Sequence, residues 1–540
     1  MLLRRSFAAE SGALLSTLHE LRQAGLGASA VDDSSLRRGL ERVIRLFPVY
    51  RTYVENLVAG PGDAVLLVPV RQRVRRELEQ EVSDCSAAHE LDSSGQADIG
   101  ENQRAIVDAI TGWLAGDGPA PSGGSDARWE ELKRDLIRGF QQLTPPLAAK
   151  SLEDTLLYRY GRLLSRNEVG SDPRQFSISI DEFHQRNAWR ARHAQRTLLA
   201  TATHDQKRGE DVRARLAVLS QIPERWIVFS RQWLDASRGR YPSDEMAGNQ
   251  AERYMLLQTL VGTWPLDLSL ADGDGLQRYA QRIMEWQTKA LREAKQSSSW
   301  VRPDTRREEG MNRFIHEILV GRQSGSRRDI FQFVQEIAPA GVVNSLAQCV
   351  LRLTSPGVPD LYQGTEYWDF SLVDPDNRRA VDYEGRQTSL GRLKTNVDIN
   401  ALLSNWRSGS IKQYVIWRCL ALRMKERQIF QDGNYLALKV EGAAESQVVA
   451  YLREFRGSCV LVVTPILCAS GVPTLDGPGP IIAADYWKET KIVLPRTCFS
   501  TEWFNIFTGF RYFAEPDGSL SLADLLAGFP VAVLVGHPVN

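Results

Sequence analysis

Two short apolar runs, each ending in polar residues and separated by helical spacing, constrain this chain more than any other feature of its sequence. The first is Arg196-Thr197-Leu198-Leu199-Ala200-Thr201-Ala202-Thr203-His204-Asp205. The second is Pro356-Gly357-Val358-Pro359-Asp360-Leu361-Tyr362-Gln363-Gly364-Thr365-Glu366. Each reads as a buried parallel strand whose C-terminal end opens into a polar loop. Between them, amphipathic helices are expected near 209–221, 250–262, 274–295 and 328–353. Strand, helices, strand is the β/α pattern of barrels and doubly wound sheets.

The flanks have a different period. Leu14, Leu15, Leu18, Leu21 and Leu26, then Leu36, Leu40, Val43, Ile44 and Phe47, fall near helical spacing until Pro48. Helical character continues to about residue 113. Asp117-Gly118-Pro119-Ala120-Pro121-Ser122-Gly123-Gly124-Ser125 then reads as a linker, and a second helical block runs to about 165. After about residue 432 the period becomes two. Tyr435–Val440, Val448–Arg453, Cys459–Pro465, Lys491–Pro495 and Val531–Val535 read as strands of an antiparallel β domain.

Composition narrows the function classes. Lys plus Arg and Asp plus Glu number 66 each, interspersed, so there is no basic excess to grip nucleic acid or an anionic membrane. A neutral substrate fits this balance. No apolar stretch reaches the ~18 residues of a membrane helix. Glu10 and Ser11 stand where a signal peptide needs an apolar core, so a cytoplasmic location is expected. The six cysteines form no C-x-x-C pair and read as buried, reduced thiols. Walker, dinucleotide and His-Glu-x-x-His patterns are missing, so no cofactor and no metal is expected. Asp272-Gly273-Asp274-Gly275 lacks the later Glu of a calcium loop and reads as a helix start.

Thr203-His204-Asp205 is the most informative local feature. At the C-terminal end of a barrel strand, a carboxylate and an imidazole face an active site and can bond sugar hydroxyls. The same residues also suit a surface turn capping a helix. Position alone leaves both open.

The longer stretch Leu198–Arg215, with His204-Asp205-Gln206-Lys207-Arg208 and Glu210-Asp211-Val212-Arg213-Ala214-Arg215, resembles a signature segment of the malto-oligosyltrehalose synthases of the α-amylase family. So do Phe47–Tyr53, Lys150–Thr155 with Tyr158-Arg159-Tyr160, Asn167–Gly170, Gln258–Pro265, Lys289–Lys295, and Gly357–Glu366 with Ser371–Arg379. These stretches cover most of the chain in the family's order.

The resemblance implies an α/β chain. It would be the C-terminal part of a (β/α)8 barrel, strands seven and eight, with a helical insertion before it and an antiparallel β domain after it. The expected division is 1–190 for the insertion (linker about 115–127), 191–432 for the barrel part and 433–540 for the β domain. The implied reaction converts the reducing-end α-1,4 bond of a malto-oligosaccharide to an α,α-1,1 bond. It would run through a retaining mechanism with two carboxyl groups about 5–5.5 Å apart. Asp205 matches a third, charge-stabilising carboxylate. His204, Lys207, Arg208, Lys150, Glu153, Asp154, Asn167, Glu168, Gln363 and Glu366 match substrate-binding positions. For Lys150, Glu153, Asp154, Asn167 and Glu168, internal ion pairing is the competing reading.

The sequence departs from the family in one respect. Neither the Gly-x-Arg-x-Asp strand end of the nucleophile nor the later Glu strand end of the acid occurs before residue 198. Two strands cannot close a barrel. The chain therefore reads as a truncated gene product, a split-gene subunit or the product of a misplaced start codon. It is expected to be inactive alone, and on the split-gene reading the N-terminal barrel segment is a separate partner chain. Another glucan hydrolase or transferase of the same family, or a non-catalytic glucan-binding remnant, are the alternatives. On the linker reading, limited proteolysis is expected to cut first within 115–127 and to leave the C-terminal β region as a late fragment. Mapping the first fragments by mass spectrometry checks this, and earliest cuts within 435–535 would overturn it.

Overall fold

The computed structural model describes residues 2–25, 32–87, 93–116, 118–120, 127–237, 248–321, 325–395, 397–473, 479–498 and 501–538. The chain divides into two compact units, Met1–Leu156 and Leu157–Asn540.

The first unit is helical: α1 (Ala8–Gly25), α2 (Asp33–Leu46), α3 (Pro61–Ala87), α4 (Ser93–Ala115) and α5 (Ala127–Ala148). Asp32 starts α2 by accepting the Ser35 N–H at 2.8 Å. Pro48 bars the αR conformation at Phe47, and α2 ends at Leu46. Leu14, Leu18 and Leu21 join Leu36, Leu40 and Val43 in one core with Val70, Val74, Ile110 and Phe140. Most of the expected linker, residues 117 and 121–126, lies outside the described residues, as does Leu26.

The second unit, Leu157–Asn540, holds most of the site residues expected from the sequence. Its helix-rich part runs α6 (Ile180–His193), β1 (Leu198–Leu199), α7 (Glu210–Ala217), α8 (Pro223–Ser237), α9 (Gln250–Thr263), α10 (Gly273–Ala294), α11 (Thr305–Leu319), α12 (Gly325–Thr354), β2 (Val358–Pro359), α13 (Tyr383–Thr395), α14 (Ile399–Ser404), α15 (Ser410–Lys425) and α16 (Arg427–Gln431). Asp272 caps α10 by accepting the Gly275 N–H at 2.8 Å. The two sequence-predicted strands pair in parallel, Leu198 opposite Val358 and Leu199 opposite Pro359. They differ from expectation in burial: Leu198 is 69% and Val358 44% exposed. Each strand is two residues long, and no further strand joins them among the described residues.

From Phe333 onward helix α12 is buried along most of its surface. Val334, Ile337, Val343, Leu346, Val350 and Leu353 are all buried. Gly341 is where α7 crosses it: a Cβ there would sit 3.0 Å from the Arg215 Cα.

The remaining strands are β3 (Asn434–Ala437), β4 (Lys439–Glu441), β5 (Val448–Phe455), β6 (Ser458–Pro465), β7 (Lys491–Val493), β8 (Thr501–Asn505), β9 (Arg511–Tyr512), β10 (Ser519–Ser521) and β11 (Ala532–Pro538). They form an antiparallel six-stranded sheet, β3-β5-β6-β11-β8-β9, and a three-stranded one, β10-β7-β4. The expected strand Tyr435–Val440 is split at Leu438 between the two sheets. Central strands read as unbroken apolar runs because both faces are covered. Ala450, Leu452, Leu461, Val463 and Leu534 pack into one core with Trp487 and Trp503. Val449, Tyr451, Val460, Val462 and Val533 pack into another with Leu346, Tyr414 and Phe430. No helix among the described residues is long and apolar enough to cross a membrane.

Arg453 joins helices to sheet. Its buried guanidinium donates to the carbonyl oxygens of Thr354 (3.2 Å), Ile429 (3.1 Å), Phe430 (3.3 Å), Gly433 (3.1 Å) and Asn434 (3.3 Å). These include helix C-terminal carbonyls that would otherwise lack partners. Burial, outweighing its neighbours, pushes the guanidinium down to about 10. Arg453→Met should destabilise the second unit by about 3 kcal/mol, since it orphans buried carbonyls. Arg453→Lys should not restore the loss, because a point ammonium cannot span five acceptors. Urea denaturation checks both, and a midpoint unchanged in Arg453→Met would reject the anchor.

Candidate functional site

At the end of β1 the chain makes a tight turn. The Gln206 N–H reaches the Thr203 carbonyl at 3.4 Å, which leaves His204 and Asp205 as the turn's central residues. Both are exposed. Among the described residues, neither the Asp205 carboxylate nor the His204 ring has a hydrogen-bond or ion-pair partner. The loop after β2 comes close. The Tyr362 phenol is pushed up by partial burial and then by the charges of Asp369 and Asp205, while a hydrogen bond with Gln363 opposes the shift. Asp205, Tyr362, Gln363 and Asp369 therefore share one polar neighbourhood at the ends of β1 and β2. An exposed carboxylate with no internal partner can bond hydroxyls of a ligand and favour developing positive charge.

The other expected residues fall into separate groups. Glu168 is buried and accepts the backbone N–H groups of Val169 (2.8 Å), Lys207 (2.8 Å) and Arg208 (3.1 Å). Lys207 and Arg208 themselves lie inside, at 4% and 1% exposure. The Lys207 ammonium sits 5.6 Å from the Tyr158 ring. Arg208 donates to the Asn167 carbonyl at 3.3 Å, lies over Trp286, and is pushed down by burial to about 10. Asn167 donates to the carbonyls of Leu157 (3.0 Å) and Tyr160. Asn167, Glu168, Lys207 and Arg208 are thus brought together by hydrogen bonds below the turn. Glu366 pairs with Arg386 at 3.2 Å, and Gln363 is exposed. Lys150, Glu153 and Asp154 lie in the first unit, where Lys150 pairs with Asp154 at 2.6 Å and Glu153 accepts the Tyr50 hydroxyl.

Sequence reasoning missed the most buried polar cluster. Lys412 Nζ lies 2.6 Å from Glu210 Oε1 and 2.8 Å from Asp211 Oδ2, and its side chain is 0% exposed. Arg352 reaches Glu210 Oε2 at 2.6 Å, and the Thr201 hydroxyl donates to the same oxygen. Asp211 also accepts the Asp369 N–H at 2.6 Å. Burial alone would raise the Glu210 carboxyl, but the Lys412 and Arg352 charges outweigh it and bring it down to about 2. Asp211 is pushed up by burial and by Glu210. One signal was present: Lys412 is the sole charged residue in the mostly apolar stretch Ile411 to Trp417, and a cation there implies a buried partner.

No family model matches the chain. Two strains of Mycobacterium tuberculosis hold proteins bearing the name maltooligosyl trehalose synthase that are 34% identical over 397 residues, 73% of this chain. The chain spans about half the length of these curated relatives, 45%. The solved maltooligosyltrehalose synthase of Arthrobacter ramosus matches 98% of this chain at 27% identity and a TM-score of 0.66, over 58% of its own length. A hypothetical maltooligosyl trehalose synthase of Sulfolobus tokodaii matches in fold, at 22% identity and a TM-score of 0.61. These likenesses define the class: the chain is built on the architecture of enzymes that carry a trehalose-synthase name. More particularly, over the part of those proteins that it spans, it belongs to the maltooligosyltrehalose synthase family.

The buried cluster gives a stability test. Lys412→Met should destabilise the second unit by about 3–5 kcal/mol, because it leaves two buried carboxylates facing each other. Adding Glu210→Gln, Asp211→Asn and Arg352→Met, so that no buried charge is left unpaired, should recover most of that loss. The Glu210 carboxyl is lowered from its ordinary 4.5 to about 2, so its stabilisation is present above pH 4.5 and disappears as pH falls toward 2. Urea midpoints should therefore fall more steeply over that window in the parent than in the quadruple variant. Parallel curves would reject the assignment.

Proposed function

We propose that this chain is part of an intramolecular transglucosylase that converts the reducing-end α-1,4 bond of malto-oligosaccharides to an α,α-1,1 bond. The observation that carries the reading is the turn at the end of β1. It offers Asp205 and His204 to solvent without internal partners, beside the loop that follows β2. The names carried by the relatives support the same substrate class. On this reading β1 and β2 are the seventh and eighth strands of a (β/α)8 barrel. Residues 1–190 are then a helical insertion, 191–432 the barrel part and 433–540 a β domain, in a cytoplasmic protein.

Asp205 holds hydroxyls of the distorted sugar and favours the oxocarbenium-like transition state over the ground state. His204 assists it. Cleavage itself needs a carboxylate nucleophile and a carboxylic acid, and the sequence before β1 has neither family pattern. A complementary β/α segment carrying the first six strands supplies both. The freed glucose stays bound, turns over and attacks through its anomeric hydroxyl, so water must be excluded or hydrolysis competes.

The test is reducing-sugar loss from maltopentaose. The 540 residues by themselves should convert none, whereas co-expression with a homologous segment of strands one to six should consume reducing ends without proportionate glucose release. Within that assembly Asp205→Asn should abolish turnover while glucan binding stays within about tenfold, since the charge acts on the transition state. Robust activity of the chain alone would reject the need for a second segment. A variant retaining a third of the parent rate would reject the role of Asp205.

A further inference from the structure

The turn that carries Asp205 is held by side chains rather than by its own backbone. Its single backbone bond, Gln206 N–H to Thr203 C=O, is long at 3.4 Å, near the limit of a useful hydrogen bond. The Gln206 side chain closes the same turn twice with better geometry. Its Oε1 accepts the Thr203 N–H at 3.1 Å, and its Nε2 donates to the Thr201 carbonyl at 2.7 Å. The middle of the turn is held from across the site, where Asn377 Nδ2 donates to the His204 carbonyl at 2.7 Å.

Asn377 is itself fixed. Its neighbour Asp376 takes a two-pronged bond from Arg282 at 2.8 and 2.9 Å and accepts the Leu372 N–H at 2.8 Å. Downstream, Glu168 holds the N–H groups of Lys207 and Arg208. The residues on either side of His204 and Asp205 are therefore pinned, while those two side chains stay free. Both clamps are neutral amides, so they fix the backbone without neutralising the carboxylate.

We propose that Gln206 and Asn377 are positioning residues that preset the backbone under Asp205 before substrate arrives. The proposal rests on the role given to Asp205 in the preceding subsection. Preset dipoles and charges contribute to catalysis because no reorganisation is left for the moment of reaction. Without the amide clamps, two exposed central residues on one weak backbone bond would sample several conformations, and the Asp205 carboxylate would move with them.

Two measurements on the 540-residue chain test this. The first is amide hydrogen exchange at Gln206 in Asn377→Ala. Asn377 bonds neither amide of the turn, so faster exchange reads lost order and not a lost partner. An acceleration of about tenfold is expected for one removed hydrogen bond of this kind, with the thermal midpoint unchanged. The second is binding of a cationic iminosugar carrying a maltosyl extension, measured in the parent, Gln206→Met, Asp205→Asn and the double variant. Gln206→Met should weaken binding about tenfold in the parent and have no effect once Asp205 is Asn, because it acts through that carboxylate. Unchanged exchange in Asn377→Ala, or an equal loss from Gln206→Met in both backgrounds, would overturn the positioning role. An Asp205→Asn variant that binds the probe as tightly as the parent would instead overturn the role of Asp205, and the exchange rate would still judge the clamp.

Discussion

The Lys412 ammonium ties together parts of the second unit that lie far apart in sequence. Through Glu210 and Asp211 it fixes the start of α7, and through the Tyr367 carbonyl at 3.2 Å it fixes the loop after β2. Glu210 passes the connection to α12 through Arg352 and to the end of β1 through the Thr201 hydroxyl. Two carboxylates and two cations are buried together, so the cluster is formally neutral. Such a cluster adds little net stability over an apolar replacement, since desolvation offsets most of the Coulomb attraction. What it adds is a single arrangement, because any sliding of α7 or α15 would strand a buried charge.

That constraint reaches the exposed turn through short backbone links. The Gly209 N–H bonds the Ser371 carbonyl at 2.8 Å and the Val373 N–H bonds the Lys207 carbonyl at 3.2 Å, so residues 207–209 and 371–373 form a small antiparallel ladder. The charged groups near the turn thereby divide. Glu168, Glu210, Asp211, Lys207 and Arg208 are buried, Glu168 accepting backbone N–H groups and Glu210 and Asp211 pairing with Lys412 and Arg352, while the exposed Asp205 carboxylate is left for a ligand. A ladder with its charges already used is a rigid base, and a rigid base is what an unpaired carboxylate needs to keep a fixed position.

Much of this was legible in the sequence, for identifiable reasons. Helices at Gln250–Thr263, Gly273–Ala294 and Gly325–Thr354 were signalled by apolar periodicity, and the strands β5, β6 and β11 by β-branched runs. The two strand ends were found because apolar residues give way abruptly to Thr203-His204-Asp205 and Tyr362-Gln363. Strands β8, β9 and β10 were not singled out. Lys207 and Arg208 were expected at substrate-binding positions from the family resemblance alone, and both are buried. Their burial depends on Glu168 and Asn167, some forty residues earlier, and no local pattern encodes that packing.

The exposed pair Leu198 and Val358 shows which part of the fold places the site. A two-stranded sheet of two residues each has little stability of its own. Its bonds are Val358 N–H to Thr197 and Asp360 N–H to Leu199, each at 2.9 Å. Gly357 permits the close approach: at φ +132° a Cβ would lie 2.9 Å from the Thr197 carbonyl oxygen. The rest comes from α15, where Arg423 donates to the Leu353 carbonyl at 2.9 Å and to the Gly357 carbonyl at 3.1 Å. Arg423 thus joins the end of α12 to the start of β2, and Lys412 on the same helix holds the cluster under β1. The strand pair does not organise the helices around it. Helices α12 and α15 hold the two strand ends in register, and the turn bearing Asp205 takes its position from them.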